Sequence, residues 1–398
     1  MRYADRLEKL GTETAFEVLR KIQNFPEKRR KNVISFSIGE PDFSTPKHIK
    51  KAGIKAIKDD MTNYTPSAGI PELREAVAQF VAKNKNIEVG PNNIVILPSA
   101  KFVVDLSILS CTNPGDEVIY PNPGYPIYES LIKVHGCKPV TAQLKEEENW
   151  NYNLEDLKSK ISDKTKMIII NSPQNPTGSV LNEENLKVLA DLAIENDLWI
   201  LTDEIYSKIV FDDLEYTSIA SYPGMQERTI ILDGFSKYFS MTGWRLGYAV
   251  VNEELAGYIG RWATNTISCT AGFTQKAGLE AMKADKGPSE KMVQAFEERR
   301  NLIHKRLNDI EGISAKLPKG AFYMFANVTG ACEQLGFKSS LEFQNYLLEE
   351  IDVAVLSREY FGSKLPNEDD LYVRFSYCVS TENIQEGMNR IQNLIENT

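Results

Sequence analysis

Short, continuously apolar runs alternate with helical stretches along the middle of the chain, and this alternation constrains the fold more than any other feature. Strands covered by helices on both faces are apolar along their whole length. Helices are predicted between the runs, for example at 72–85 and at 183–196, where Asn182 stands as an N-cap before two glutamates. The alternation predicts an α/β fold with a doubly wound, mostly parallel sheet. The predicted strands are 93–98, 117–122, 138–144, 166–173, 198–206, 229–235 and 245–251.

The alternation of strands and helices ends near residues 284–289, where the turn-like segment ADKGPS precedes a long amphipathic stretch. Apolar residues recur there at helical spacing from about Ser289 to Glu311, and Gly312 stands where a C′ glycine would end such a helix. Ligands of open parallel sheets bind beyond the carboxyl ends of the strands, so functional residues are expected directly after the strands. The expected division is a large domain at 46–284 and a smaller α+β domain built from both chain ends, 1–45 and 285–398.

Charge and cysteine usage disfavour several classes of function. The formal net charge is −9, which argues against nucleic acid or an anionic membrane as the partner. The five cysteines form no Cys-x-x-Cys pair and the three histidines stand far apart, so we expect free thiols in a reducing compartment and no metal site. No apolar run resembles a signal peptide or a transmembrane helix. These features predict a cytoplasmic protein.

Three predicted strands end in segments rich in functional groups. The first continues as NSPQNPTG, residues 171–178, a rigid loop that presents the Asn175 amide, although Asn-Pro alone marks a turn more often than a site. The second runs directly into Asp203, whose buried carboxylate needs a partner. An N-cap or a structural ion pair would explain that residue taken alone. The third ends in SKYFSMTGWRLG, residues 236–247, which brings a hydroxyl, an amine and a guanidinium together.

Taken together, these segments fit the needs of a pyridoxal ring. Its aldehyde needs an amine, its ring nitrogen an acid, its phenolic oxygen hydrogen-bond donors, and its phosphate a basic cup. A lysine in a partly desolvated, cationic setting has a lowered pKa and becomes nucleophilic toward carbonyls. The residues that supply these groups, in the same order, are Lys237, Asp203, the pair Asn175 and Tyr206, and Ser236 with Arg245.

The order and spacing of the segments resemble the class I/II aminotransferases, which are fold-type I pyridoxal-phosphate enzymes, and the aspartate aminotransferase branch is the closest match. Asp203 follows Asn175 by 28 residues, and Lys237 follows Asp203 by 34. The resemblance covers nearly the whole chain. The other matching segments, in family order, are SIGEPDFSTP (37–46), YTPSAGIPELREA (64–76), NPGDEVIYPNPGYPIY (113–128), PKGAFYMF (318–325) and YVRFSYCVS (372–380).

The resemblance implies that the cofactor is pyridoxal 5'-phosphate and that Lys237, Asp203 and Tyr206 are the catalytic residues. Lys237 would carry the cofactor as a Schiff base and later move the substrate proton. Asp203 would pair with the pyridinium nitrogen, while Asn175 and Tyr206 would donate to the phenolic oxygen. Helix N-termini favour phosphate. The other implied cofactor contacts are the phosphate ligands Ser236 and Arg245, the backbone N–H groups of Ala100 and Lys101, and the stacked ring of Tyr125.

The resemblance also implies how the substrate and a second subunit are bound. Arg374 would grip the substrate α-carboxylate through a bidentate fork, and the Gly39 backbone and Asn175 would add contacts. Tyr64 matches a tyrosine that reaches the phosphate of the neighbouring subunit's cofactor, which implies a homodimer with shared active sites. Without the resemblance, Tyr125 would be equally well explained as a core tyrosine.

The implied reaction moves the amino group of an L-amino acid to a 2-oxo acid, with 2-oxoglutarate as the expected acceptor, by a ping-pong mechanism. Aspartate is the default donor. Aromatic amino acids and alanine stay open, because Leu109 stands where some dicarboxylate-specific bacterial relatives carry a lysine. The phosphate segment also departs from the pattern, reading PSAKF where many relatives have a glycine pair. The alternative is a fold-type I carbon–sulfur lyase, which shares the cofactor site. A non-catalytic sensing domain is disfavoured, since the resemblance begins near residue 30 and leaves no room for a helix-turn-helix module.

Overall fold

The computed structural model describes residues 2–11, 15–365 and 368–397. The strands are β1 Ile34–Ser35, β2 Ile94–Leu97, β3 Glu117–Asn122, β4 Lys138–Gln143, β5 Thr165–Asn171, β6 Trp199–Asp203, β7 Thr229–Gly234, β8 Gly247–Val250, β9 Ser314–Ala315, β10 Tyr323–Asn327, β11 Val353–Ala354, β12 Leu356–Ser357 and β13 Tyr372–Ser376. The helices are α1 Ala15–Gln23, α2 Glu27–Asn32, α3 Lys47–Lys58, α4 Pro71–Lys85, α5 Lys101–Cys111, α6 Ile127–Val134, α7 Leu154–Ser159, α8 Glu183–Glu195, α9 Glu253–Thr266, α10 Gly272–Lys283, α11 Gly287–Asn308, α12 Thr329–Leu335, α13 Ser340–Ile351 and α14 Thr381–Glu396.

Seven strands form the central sheet, in the order β2-β8-β7-β6-β5-β3-β4. Neighbours from β7 to β4 run parallel, whereas β8 is antiparallel to both β7 and β2. These are the seven strands predicted from the apolar runs, and the prediction of an α/β fold with a mostly parallel sheet is confirmed. The prediction for 198–206 extends furthest beyond the observed strand, because residues 205–208 form a turn.

Successive residues of the central strands pack against opposite layers of helices. On β7, Ile230 and Leu232 pack on the face covered by α5, α6 and α9, while Ile231 packs on the face covered by α3, α4 and α10. Burial on both faces explains why β2, β3, β7 and β8 contain no exposed residue. Each large apolar side chain buried in this way contributes about 1.5–3 kcal/mol.

Two smaller sheets join the two ends of the chain. Strand β1 pairs in parallel with β11, and β12, β13, β10 and β9 form a four-stranded antiparallel sheet. The Ser376 N–H donates to the Phe36 carbonyl over 2.7 Å, which links the N-terminal segment to β13. A smaller unit built from both chain ends agrees with this pairing, while the division at 45/46 and 284/285 stays a prediction.

Helix ends follow the sequence signals in one case and depart from them in another. The Asn182 side chain accepts a backbone N–H in the first turn of α8, so the predicted N-cap is confirmed. The prediction that Gly312 ends the long amphipathic helix is wrong, because α11 stops at Asn308 with Asp309 as its C-cap. Gly312 has a φ of +75°, and a Cβ there would meet the Ala331 nitrogen at 2.5 Å. The glycine is therefore required by the turn into β9.

The sheet order brings the three chemically rich segments together. Strands β5, β6 and β7 are neighbours, with Asn171 opposite Asp203 and Asp203 opposite Leu232, so the segments that follow them meet at one edge. Within the described ranges, no helix is long and apolar enough to cross a membrane. The same residues contain no group of His, Cys, Asp and Glu side chains that could hold a metal ion.

Candidate active site

A cavity of about 470 Å³ opens at the carboxyl edge of the central sheet. Tyr64 lies away from its wall with 87% of its surface exposed, so this chain alone does not bring it to the other predicted residues. All the other predicted site residues line the cavity, namely Gly39, Ala100, Lys101, Tyr125, Asn175, Asp203, Tyr206, Ser236, Lys237, Arg245 and Arg374.

Lys237 follows β7 and points across the cavity. Its Nζ donates to the Gly39 carbonyl over 2.6 Å, which connects the end of the central sheet to the N-terminal segment. The same Nζ lies 5.7 Å from the ring centroids of both Tyr206 and Phe322. An amine that lines the cavity beside aromatic rings is well placed to react with a carbonyl ligand bound there.

Asp203 ends β6 at the bottom of the cavity and is buried. Its Oδ2 accepts the Tyr128 hydroxyl over 2.7 Å, and its Oδ1 accepts the Ile205 N–H over 3.2 Å. Burial raises the pKa of Asp203 to about 6, although the Tyr128 hydrogen bond and the charge of Lys237 oppose the shift. A buried carboxylate of this kind would be stabilised by a cationic N–H donor, such as the ring nitrogen of a bound cofactor.

Asn175 is held at its place by another asparagine. The Asn171 Oδ1 accepts the Asn175 N–H over 2.9 Å, while the Asn171 Nδ2 donates to the carbonyls of Pro173 (3.1 Å) and Asp203 (2.9 Å). One side chain at the end of β5 thus fixes both the proline loop and the end of β6.

Tyr206 and Tyr323 form a pair on the opposite wall. Their hydroxyl oxygens lie 2.7 Å apart, and Tyr206 is 4% exposed. Burial raises the pKa of Tyr206 well above its ordinary value, so its hydroxyl stays protonated and can donate. A Cβ on Gly39 would meet the Tyr323 hydroxyl at 2.0 Å, which means that the chain requires glycine at this approach.

One end of the cavity is suited to an anion. Arg245 donates through Nη2 to Ser99 Oγ (2.7 Å) and through Nη1 to the Thr242 carbonyl (2.6 Å). Helix α5 begins at Lys101 beside this group, and the Lys101 N–H reaches Ser99 Oγ over 3.2 Å. A guanidinium, a hydroxyl and a helix N-terminus make a site for phosphate.

The other end carries Arg374, which is 4% exposed. Its Nη1 donates to Asn175 Oδ1 over 2.8 Å and its Nη2 to the Ser37 carbonyl over 2.6 Å. Its guanidinium also lies over the Tyr323 ring, 4.4 Å from the centroid. Among the described residues, the buried Arg374 Nε has no hydrogen-bond partner. A carboxylate bound in the cavity would meet a guanidinium that is already oriented for it.

Five contributors to the site are not among the residues predicted from the sequence. Ser99, Tyr128, Asn171 and Tyr323 lie inside segments that were recognised for other residues, so position in those segments is a signal that could have found them. Ser37 contributes a backbone carbonyl only, and no side-chain pattern can indicate such a contact. Tyr125, which had been predicted, lines the cavity with its ring 5.7 Å from that of Tyr128 at an interplanar angle of 83°.

The residues present fit pyridoxal phosphate. The buried Asp203 suits a protonated ring nitrogen, the group around Arg245 suits the phosphate, and Lys237 lines the same cavity. The orphaned Arg374 Nε suits an acid group of a substrate. Each of these groups is one that the cofactor or an amino acid bound to it would satisfy.

Comparison with known proteins gives a consistent result. A family model described as aminotransferase class I and II matches residues 31–391. A probable aspartate/prephenate aminotransferase of Aquifex aeolicus is 39% identical over 368 residues, covering 92% of this chain and 91% of that protein. An aspartate aminotransferase of Bacillus subtilis is 36% identical, covering 100% of this chain and 99% of that protein. The solved structure of an alanine aminotransferase from Pyrococcus furiosus superposes with a TM-score of 0.91 at 30% identity, covering 100% of both chains.

Proposed function

Since the chain belongs to the class I and II aminotransferase family and is a pyridoxal-phosphate-dependent transaminase, we propose that it transfers the amino group of L-aspartate to a 2-oxo acid, with 2-oxoglutarate as the acceptor, in a ping-pong cycle. The observation that carries the site assignment is the convergence of Lys237, Asp203 and Arg374 on one cavity. When bound, pyridoxal phosphate supplies an aldehyde for the amino group and a ring that withdraws electrons from the substrate Cα.

Cofactor binding is divided among three strand ends in this proposal. Asp203 holds the proton on the ring nitrogen, and its hydrogen bond from Tyr128 fixes the carboxylate in place. The Asn175 Oδ1 is engaged by Arg374, so its Nδ2 is the atom that faces the phenolic oxygen. The Tyr206 hydroxyl donates to the same oxygen. The phosphate is bound by Ser236, Arg245 and the N–H groups of Ala100 and Lys101, and Tyr125 covers the ring.

Lys237 is the proposed proton carrier. Its Nζ lines the cavity, where it would accept the proton from the substrate Cα and later return it. It would do so as a neutral amine, because an ammonium group has no lone pair with which to accept a proton.

Arg374 is the proposed binding group for the substrate α-carboxylate, together with Asn175 and the Gly39 backbone. Its contacts with the Ser37 carbonyl and the Tyr323 ring fix the guanidinium plane before the substrate arrives. Such preorganisation reduces the entropy lost on binding.

Aspartate is proposed as the donor because the names of the relatives from Aquifex and Bacillus include aspartate, while the relative from Pyrococcus is named for alanine. We expect kcat/KM to be higher for aspartate than for alanine, and the reverse order would contradict this choice.

A homodimer with shared active sites and a cytoplasmic location complete the proposal. The dimer is supported by Tyr64, which is 87% exposed although it is aromatic. If Tyr64 contributes to the active site of a second subunit, this explains why it does not line the cavity of its own chain. The location is supported by the five free cysteines.

Spectroscopy of the purified protein tests the proposal. The protein with bound cofactor should be yellow, and aspartate alone should bleach the long-wavelength band as the cofactor takes up the amino group, with 2-oxoglutarate restoring it. Lys237→Ala should abolish turnover yet still bind the cofactor non-covalently. Normal turnover by that variant, or release of ammonia and pyruvate from a cysteine conjugate without bleaching, would contradict the assignment.

A further inference from the structure

A second group of charged residues lies behind the active site, on the opposite face of the central sheet. Successive strand residues point to opposite faces, so Glu204 points away from the cavity, to the side on which Asp233 of β7 lies. Lys85, the last residue of α4, places its Nζ 2.6 Å from Glu204 Oε2 and 3.1 Å from Asp233 Oδ2. The three side chains are 2%, 0% and 8% exposed, and we call them the buried triad.

Both carboxyl groups of the buried triad are surrounded by donors. Asp233 Oδ1 accepts the Gly234 N–H over 2.7 Å, and Glu204 Oε1 accepts the Ser218 hydroxyl over 2.6 Å, while their other oxygens face Lys85. All four carboxyl oxygens therefore have a donor or an ion-pair contact, a setting that favours the ionised form. Two carboxylates against one ammonium leave the triad with a single negative charge.

Stability alone does not explain a buried charged group of this kind, because apolar residues of similar volume often serve as well or better. Its position does suggest a reason. Glu204 is the next residue after Asp203, and Asp233 lies in the strand that leads to Lys237. Burial is the main cause of the raised pKa of Asp203, and the charge of Asp233 adds to it. The buried triad and the cavity are thus electrostatically coupled through the sheet.

The other titratable groups around the buried triad do not replace Lys85. Burial and the neighbouring carboxylates raise the pKa of Tyr216 and Tyr248 well above the ordinary value, so both stay neutral. Burial lowers the pKa of Lys208, and the charge of Lys85 lowers it further. Burial also lowers the pKa of Lys85, but the charges of Glu204 and Asp233 together raise it above its ordinary value.

We propose that Lys85 is a positioning residue for transamination, which offsets the charge of Asp233 behind the sheet and so keeps Asp203 ionised to hold the cofactor's ring nitrogen. This inference rests on the proposed role of Asp203. An opposite charge in direct contact shifts a carboxyl pKa by about 1–3 units. Lys85 contacts Glu204 and Asp233 rather than Asp203 itself, so its effect on the pKa of Asp203 should be smaller, about 0.5–1 unit.

The test is a pH titration of the visible absorption of the protein with bound cofactor. Lys85→Met makes the surroundings of Asp203 more negative. The midpoint of the titration, the pH at which half of the absorption change has occurred, should therefore move upward by about 0.5–1 pH unit. The double variant Lys85→Met with Asp233→Asn restores the net charge and should return the midpoint to that of the wild type, even if the protein stays less stable. Lys83→Met, an exposed lysine on the same helix, is the matched control and should leave the midpoint unchanged.

Glu204→Gln keeps the inference testable if Lys85→Met does not fold. It removes one negative charge from the buried triad with little change in shape, and the midpoint should move downward. An unchanged midpoint in folded Lys85→Met or Glu204→Gln, or a shift in Lys85→Met that the double variant does not reverse, would overturn the role of Lys85. If Asp203→Asn also leaves the absorption spectrum unchanged, the proposed role of Asp203 fails instead.

Discussion

Asp203→Asn should stabilise the protein without cofactor while removing its function. Burial raises the pKa of Asp203 from 3.8 to about 6 in the folded chain, so the folded state binds the proton more tightly than the unfolded state. The contribution of Asp203 to stability is therefore greatest below about pH 4 and is lost as the pH rises through about 6. The difference of about two units corresponds to about 3 kcal/mol at pH 7. Asparagine does not titrate, so the variant does not lose this stability at pH 7. Its amide is a poorer partner for the Tyr128 hydroxyl, so we expect the free energy of unfolding to exceed that of the wild type by about 1–3 kcal/mol.

Urea unfolding of both apoproteins at a fixed protein concentration, followed by tryptophan fluorescence at pH 4.5, 5.5, 7 and 8, measures this difference. The advantage of the variant should be small at pH 4.5 and fully developed at pH 7. Cofactor at 1,000 times its Kd should reverse the order, because it stabilises the wild type by about 4.1 kcal/mol and the variant binds it poorly. An Asn variant that is less stable than the wild type at pH 7, or a difference that does not change with pH, would refute the reasoning.

Three further predictions concern other positions. Arg374→Lys keeps the charge but loses the bidentate contact of the guanidinium with the substrate carboxylate. Steady-state kinetics should show kcat/KM about 10–100-fold lower, while the absorption spectrum shows that the cofactor is retained. Gly39→Ala forces its Cβ against the Tyr323 hydroxyl, and kcat/KM should fall about tenfold or more, which a normal rate would contradict. Asp212→Asn should destabilise the protein at neutral pH, because hydrogen bonding to Arg300 holds the pKa of that carboxyl well below its usual range. Because the pKa of Asp212 is lower in the folded than in the unfolded state, this contribution is fully present at pH 7 and begins to fall below about pH 4. Thermal unfolding that shows no smaller effect at pH 3.5 than at pH 7 would contradict the prediction.

The parts of the fold and site that could be predicted are those encoded by neighbouring residues. An apolar run such as MIII at 167–170 indicates a strand that helices cover on both faces, and its alternate residues do lie in two different core clusters. The residue after such a strand lies at the ligand-binding edge for topological reasons. Asp203 and Lys237 were therefore found by their place in the chain, and the cavity brings them together.

The parts that could not be predicted depend on contacts between distant segments. Tyr128 reaches Asp203 across 75 residues of chain, and Lys85 reaches Glu204 across 119. Nothing in the local pattern of α4 distinguishes Lys85 from an exposed lysine, because only the packed helix shows which side of its last turn faces the sheet. The prediction for Gly312 was wrong for the same reason, since its close neighbour Ala331 lies on another helix.

The parallel pairing of β1 with β11 bears on how the protein is made. Val353, the partner of Ile34, follows it by more than 300 residues and is therefore synthesised much later. At about 5–20 residues per second, the N-terminal segment waits roughly 15–65 s on the ribosome before its partner strand exists. The Lys237 contact with Gly39 and the Arg374 contact with Ser37 depend on the same segment. A nascent chain that has completed its central sheet would therefore still lack the proposed substrate site, which forms only when the segments around Ile34 and Val353 have paired.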